Sequence, residues 1–516
     1  MARRVFSSAR HILTQTQEYG SKSAIVAGAN VTSFDQLRKG AQTIASNLLQ
    51  AHDATDLKEQ RIAFMANPDE NFVKIQWGIW AAGGIAVPLH CHHPQTELEH
   101  VICDSGASAT VLSKTLSNRS AVQDAATRHS VPLLQEIEGN NSLAQWDPNR
   151  FAPTRAAQIL YTSGTTGKPK GVVMTHANIQ QQIEDIVQAW ELSKSDRLLH
   201  FLPLHHTHGI LNNLLCPLYA GATVEMLPRA DPTVIWQKYV ANSQANEKLT
   251  VMMAVPTIYM KLLEEIDNWS GEDRALAIEG IRQLRLIISG SAGCPVRIIH
   301  KWENLTGHRL LERYGMTELG MVLTNPLHGE RNIGYVGQTF PSVQVRLVDP
   351  KTDEESDSGE LRVKGPTVFR EYWDRPSDTA KEFDQNGWFK TGDIATYDTD
   401  RKSYRILGRA SVDIIKTGGY KVSALEVETV LLDHPDVAEC SVFGLEDETW
   451  GEKIVAVLRL RGASSSLADV QKHANQTLAS YKTPKKWILV EEIPKNAMGK
   501  VNKKELKKSH SVIEAL

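Results

Sequence analysis

Tyr161-Thr-Ser-Gly-Thr-Thr-Gly-Lys-Pro-Lys-Gly-Val-Val-Met-Thr-His176 is the stretch on which the reading of the whole chain turns. Gly164, Gly167 and Gly171 remove Cβ atoms, so backbone can approach a ligand closely. Thr162, Ser163, Thr165 and Thr166 supply hydroxyl donors, and Lys168 and Lys170 supply positive charge. That combination suits a polyphosphate. The apolar residues 157–160 read as the end of a buried strand and 175–187 as a helix, so the loop is expected at a strand-to-helix passage, where α/β sheets take ligands. It is not a Walker A loop: only two residues separate Gly164 from Gly167, and Pro169 follows Lys168 where Ser or Thr is required. The bland alternative is a flexible surface turn.

The segment resembles the phosphate-loop signature of the adenylate-forming superfamily, which contains acyl-CoA synthetases, aryl-CoA ligases, luciferases and peptide-synthetase adenylation domains. The resemblance implies nucleotide contacts from Thr162, Ser163, Gly164, Thr165, Thr166, Gly167 and Lys170.

Composition is compatible with that class. A chain of 516 residues, 41% of them apolar, is too long for one ordinary core, so two or more domains are expected. A net charge of -3 offers no bulk attraction for nucleic acid or an anionic membrane, and any anion binding must be local. Cys91, Cys103, Cys216, Cys294 and Cys440 show no CxxC pair or metal spacing and fit reduced thiols of an intracellular protein. No apolar run reaches the roughly 18 residues needed for a transmembrane segment. Arg3, Arg4 and Arg10, with no acid before Glu18, read either as a mitochondrial address or as the first helix of the folded domain. The expected compartment is the cytoplasm or the mitochondrial matrix.

Along the chain, 61–66, 71–82 and 83–89 read as strand, helix and strand, a βαβ unit, with a further helix from Pro94 and a strand at 109–112. His200-Phe-Leu-Pro-Leu-His-His-Thr-His-Gly209 holds four histidines. A metal cluster there is opposed by Pro203 and Gly209, which break any helix that would align His205 with His208, and by the lack of a nearby acid or cysteine. The resemblance makes this a loop lining the acyl pocket, with His208 on a substrate carboxylate; a core or capping role for His208 is the alternative. Ser289-Gly-Ser-Ala-Gly293 is small enough for a flat base to slide against backbone. By resemblance Gly290 and Ser291 border adenine and the acyl pocket, a plain β-turn being the other reading.

Glu312-Arg-Tyr-Gly-Met-Thr-Glu318 is a second strong match. It implies Tyr314 near adenine, Gly315 in the nucleotide site, Thr317 on phosphate and Glu318 on Mg2+, for which an oxygen ligand is chemically apt. Arg313 would border the acyl group. A guanidinium is costly beside a fatty tail and well matched to a second carboxylate, unless it turns outward or pairs with a local acid. Asp393, ending Gly387-Trp-Phe-Lys-Thr-Gly-Asp393, resembles the ribose acid, and Arg409 the nucleotide-contacting arginine. Ser411 stands at the hinge position, where Asp or Lys is frequent. The acidic run 349–358 reads as solvated.

The remainder reads as a compact α+β module of about 100 residues. The turn at Gly418 and Gly419 matches the one that shapes a thiol tunnel for CoA. Six lysines between 495 and 508 would ordinarily be a solvated basic tail, yet Pro-Lys followed by Gly-Lys500 resembles the catalytic-lysine motif.

The resemblance spans about residues 24–506. It implies an α/β protein with a large N-terminal domain of parallel sheets flanked by helices, a small β-rich subdomain, and a small mobile α+β C-terminal domain, divided as 1–409 and 410–516. It also implies ATP and coenzyme A as co-substrates, Mg2+ as cofactor, and two half-reactions, with Lys500, Glu318 and Thr317 catalytic. His206-Thr-His-Gly209, residues 312–318 and Val412-Asp-Ile-Ile-Lys-Thr-Gly-Gly-Tyr-Lys421 are most similar to the malonyl-CoA synthetase branch, the acyl-CoA synthetase family member three type. That favours malonate, with methylmalonate open. A medium-chain fatty or aryl acyl-CoA synthetase is the alternative, and a luciferase-like oxygenase the alternative from another class.

Overall fold

Strands Ile85–Pro88 and Ala109–Leu112 are buried at every position, as strands must be when helices cover both faces of their sheet. The computed structural model, which describes residues 10–91, 93–116, 119–135, 146–162, 169–462, 465–495 and 501–514, contains the expected βαβ unit. Arg61–Met65 and Ile85–Pro88 pair in parallel, Ile62 opposite Ala86, joined by helix Glu70–Ala81. Asp69 caps that helix by accepting the Asn71 amide.

Two large sheets are built this way. Among the described residues the seven-stranded one runs in space Glu371–Tyr372, Lys170–Thr175, Ala156–Thr162, Ile85–Pro88, Arg61–Met65, Ala109–Leu112, Leu133–Gln135. The nine-stranded one has a parallel centre that includes Arg197–His200, Val251–Ala254, Leu286–Ser289 and Leu311–Met316, and it turns antiparallel at Gly320–Thr324. A continuous apolar core joins them, including Trp77, Trp80, Ile183, Leu214 and Leu323.

In the seven-stranded sheet one sequence expectation fails. Lys170–Thr175 is a strand, antiparallel to Ala156–Thr162, so the glycine-rich stretch connects a β-hairpin and does not open a helix. The physical cause is the apolar run Val172-Val-Met174, which is buried in the sheet; the helix His176–Ala189 starts only where Thr175 and Asn178 form a capping box.

Beyond these sheets, Gln344–Val348, Ser358–Lys364, Phe389–Asp398 and Ser403–Arg409 form a four-stranded antiparallel sheet, with residues 350–358 exposed as expected. A smaller C-terminal unit follows, its sheet built on the Val437–Asp447/Gly451–Leu460 pair and covered by helices Ala424–Asp433 and Leu467–Thr477. It meets the large unit where the Arg297 amide donates to Asp433 (3.1 Å) and Arg461 pairs with Glu264 (3.0 Å). No helix among the described residues is long and apolar enough to cross a membrane.

Candidate active site

Parallel strands release their loops at their C-terminal ends, and His208, Gly290, Ser291 and residues 313–318 lie at or just past such ends. Ser163, Gly164, Thr165, Thr166, Gly167 and Lys500 lie outside the described residues, as does Lys168. Thr162 and Lys170, which flank the loop, face each other in the hairpin register. Lys170 Nζ pairs with Asp378 at 2.8 Å and sits 5.0 Å from the Tyr372 ring centre. Tyr161 at the hairpin mouth donates to Asp104 (2.9 Å), whose other oxygen takes Arg375 (2.6 Å).

Tyr314, Asp393, Arg409 and Glu318 converge. Arg409 lies opposite Asp393 in the antiparallel ladder, which delivers its Nε to Asp393 Oδ1 at 3.0 Å. The Tyr314 hydroxyl donates to Asp393 Oδ2 at 2.5 Å. Burial, reinforced by the Asp393 charge, pushes the Tyr314 phenol well above its ordinary range, so it remains a donor. Glu318 follows strand Leu311–Met316 and is 7% exposed. Tyr372 donates to its Oε1 at 2.8 Å, a contact that no sequence signal announced. Burial raises the Glu318 carboxyl, and the residue forms no ion pair among the described residues. Gly315 is required by packing: a Cβ there would lie 2.2 Å from the Gly320 carbonyl oxygen. Thr317 sits in the turn between Met316 and Gly320.

Arg313 lies on the same strand but on the side of Gly290 and is 4% exposed. It neither turns outward nor pairs with an acid among the described residues; Nε and Nη2 are buried without a hydrogen-bond partner. Burial lowers its pKa to about 10, which leaves it charged at neutral pH. Beside it, Ser291 holds the left-handed conformation (φ 71°), and its hydroxyl meets His208 Nδ1 at 3.2 Å. His208 Nε2 is buried and unpartnered, and burial together with the Arg313 charge keeps the imidazole neutral. His208 begins a π-helix, His208–Leu215, in which Asn213 donates to the His208 carbonyl (2.9 Å) and Asn212 has both side-chain polar atoms buried without partners. Gly209 is obligatory there, since a Cβ would stand 2.1 Å from the Pro203 oxygen. Buried polar atoms without partners are costly. Those of His208 and Arg313, on either side of the Gly290–Ser291 turn, make a place for a polar or anionic group.

In the C-terminal unit, Gly418 (φ 54°) and Gly419 (φ 84°) form a two-residue hairpin turn that needs positive φ at both positions. Asp413, two residues past Ser411, accepts the Arg409 amide (3.0 Å) and the Lys503 ammonium (2.6 Å). Lys503 also pairs with the partly buried Glu428 at 2.6 Å. Burial alone would lower the ammonium's pKa, but Glu428 and Asp413 hold it above the ordinary lysine value. A lysine that reads as part of a solvated tail is thus an internal tie.

Residues 12–373 match the AMP-binding enzyme family, and 426–500 match the AMP-binding enzyme C-terminal domain. The chain is 42% identical over 526 residues to the malonate–CoA ligase ACSF3, mitochondrial, of Mus musculus, covering 95% of this chain and 89% of the relative. It is 40% identical over 524 residues to the malonate–CoA ligase of Arabidopsis thaliana, covering 94% and 86%. Among solved structures, ATP-bound MatB from Rhodopseudomonas palustris superposes with a TM-score of 0.85 at 32% identity, over 97% of this chain and 99% of that one.

Proposed function

The chain belongs to the AMP-binding enzyme family, and from that premise we propose that it is an AMP-forming acid:CoA ligase that makes malonyl-CoA from malonate, ATP and CoA. The observation that carries the choice of acid is the buried, unpartnered guanidinium of Arg313 beside neutral His208. A fatty or aryl acid would leave that cation uncompensated in a low-dielectric site, whereas the distal carboxylate of malonate accepts from its free N–H groups. His208 completes the donor set.

In the first half-reaction a carboxylate oxygen of the acid attacks the α-phosphorus of ATP, the α–β bridging bond breaks, and pyrophosphate leaves with its electrons. Both partners are anionic, so the protein's task is positioning and charge neutralisation. The hairpin loop with Thr162, Ser163, Gly164, Thr165, Thr166, Gly167 and Lys170 takes the phosphates, with Thr317. Asp393, fixed by Tyr314 and Arg409, accepts from the ribose hydroxyls, while Tyr314, Gly315, Gly290 and Ser291 enclose the adenine. Lys500 brings an ammonium to the reacting phosphate. In the second half-reaction the CoA thiolate attacks the acyl carbonyl and AMP leaves; Gly418 and Gly419 give the thiol its passage as the 410–516 domain turns against 1–409 about Ser411.

Glu318 fits Mg2+: it is a buried hard oxygen donor that lacks a cationic partner among the described residues. Bound there, the ion would neutralise phosphate charge. The amino-terminal arginines and the name of the mouse relative favour the mitochondrial matrix over the cytoplasm, which cell fractionation would decide.

Pyrophosphate release across malonate, methylmalonate, acetate, octanoate and 4-coumarate, with CoA, tests the assignment. Malonate should lead by at least tenfold, and Arg313→Ala should abolish that lead while ATP still binds. Octanoate or 4-coumarate in first place would overturn it, and product mass separates a thioester from the product of a luciferase-like oxygenase.

A further inference from the structure

The loop between strand Ile85–Pro88 and helix Gln95–Ser105 carries His90 and His93, and the structure folds it against the loop that follows strand Arg197–His200. His205 is the meeting point. Its ring lies 4.1 Å from that of His90 and 4.8 Å from that of His93, and the ligand atoms of the three lie within 4.8 Å of one another. The two loops leave different large sheets, so nothing in the local spacing of either histidine group reveals the assembly. The pairing of His205 with His208 that the sequence opposes is not formed: His208 meets Ser291, and His205 meets His90 and His93.

We propose that His90, His93 and His205 form a binding site for a zinc-class divalent ion. Three imidazoles select zinc, copper or nickel over magnesium or calcium, and zinc accepts three protein ligands with a fourth position open. His205 is 9% exposed and its Nδ1 is buried with no hydrogen-bond partner, a lone pair at a cost that a metal bond would remove. His93 is already oriented as zinc-binding histidines are, with Nδ1 3.4 Å from the Glu97 carboxylate, which leaves Nε2 for the ion. Zinc–nitrogen bonds of about 2.0–2.1 Å require nitrogens about 3.3 Å apart, so the rings must close by up to about 1.5 Å. The partly exposed His93 supplies that movement. A bound ion would pin the two sheets together just ahead of His208.

The test uses the full-length protein, stripped with chelator and titrated with Zn2+ by calorimetry, and in parallel with Co2+ by visible absorption. The expected result is one equivalent of zinc, tetrahedral cobalt bands, and at least tenfold weaker binding in His205→Ala and in His93→Ala. The second variant changes a partly exposed loop position, so it reports on the site even where His205→Ala fails to fold. Wild type and His93→Ala binding zinc equally would overturn the proposal, as would no zinc uptake by wild type.

Discussion

A Cβ on Gly290 would lie 2.5 Å from Nε of Arg313: the guanidinium is seated against bare backbone. Gly290→Ala must therefore push Arg313 aside without removing it. Malonate KM should rise at least tenfold and by more than ATP KM, and steady-state kinetics on both substrates will show it. Equal losses on both would mean that the glycine serves the nucleotide as much as the acid.

Asp393 holds two protein donors, Tyr314 and Arg409, whose geometry orients its remaining lone pairs. Tyr314→Phe removes one buried hydrogen bond to a charged group, worth about 1.5–3 kcal/mol. ATP KM should rise about tenfold or more, with malonate KM little changed. An unaltered ATP KM would show that Arg409 suffices.

Lys503→Met leaves Asp413 and Glu428 as partly buried like charges. Breaking a buried pair this way costs about 3–5 kcal/mol. The melting temperature should fall, and Glu428→Gln added to Lys503→Met should recover part of the loss. Lack of recovery would place the damage in packing.

Glu312 is buried beside the pocket, and burial raises its carboxyl from 4.5 to about 7, partly opposed by the Gly334 amide. A carboxyl whose folded pKa is raised stabilises the fold fully below 4.5, and this stability is lost as pH rises through 7. The neutral Glu312→Gln variant avoids that loss, worth about 3 kcal/mol. Its melting temperature relative to wild type should increase from pH 5 to pH 8; a difference constant with pH would refute the assignment.

The order of motifs along the chain gave away the α/β architecture and placed Tyr314, Asp393, Arg409 and Glu318 in one site, because each belongs to a local pattern with a chemical meaning. What stayed hidden depends on contacts across long loops. The burial of Val172-Val-Met174 in a sheet turned an expected helix entry into a hairpin, since three apolar residues look alike in either setting. Tyr372 reaches Glu318 from 54 positions away, and His90 and His93 reach His205 from another sheet. Lys503 was concealed by its company: the surrounding lysines average to a solvated face, and only the partners Asp413 and Glu428 reveal that this one points inward.

The inward lysine has a mechanical corollary. Lys503 begins the helix Lys503–Glu514 and is bonded to Asp413, which in turn holds the Arg409 amide. Position 500 is three residues upstream of that rivet. Any torque about 409–413 is thus transmitted to the start of the helix Lys503–Glu514, and the crank and that helix are one forged piece.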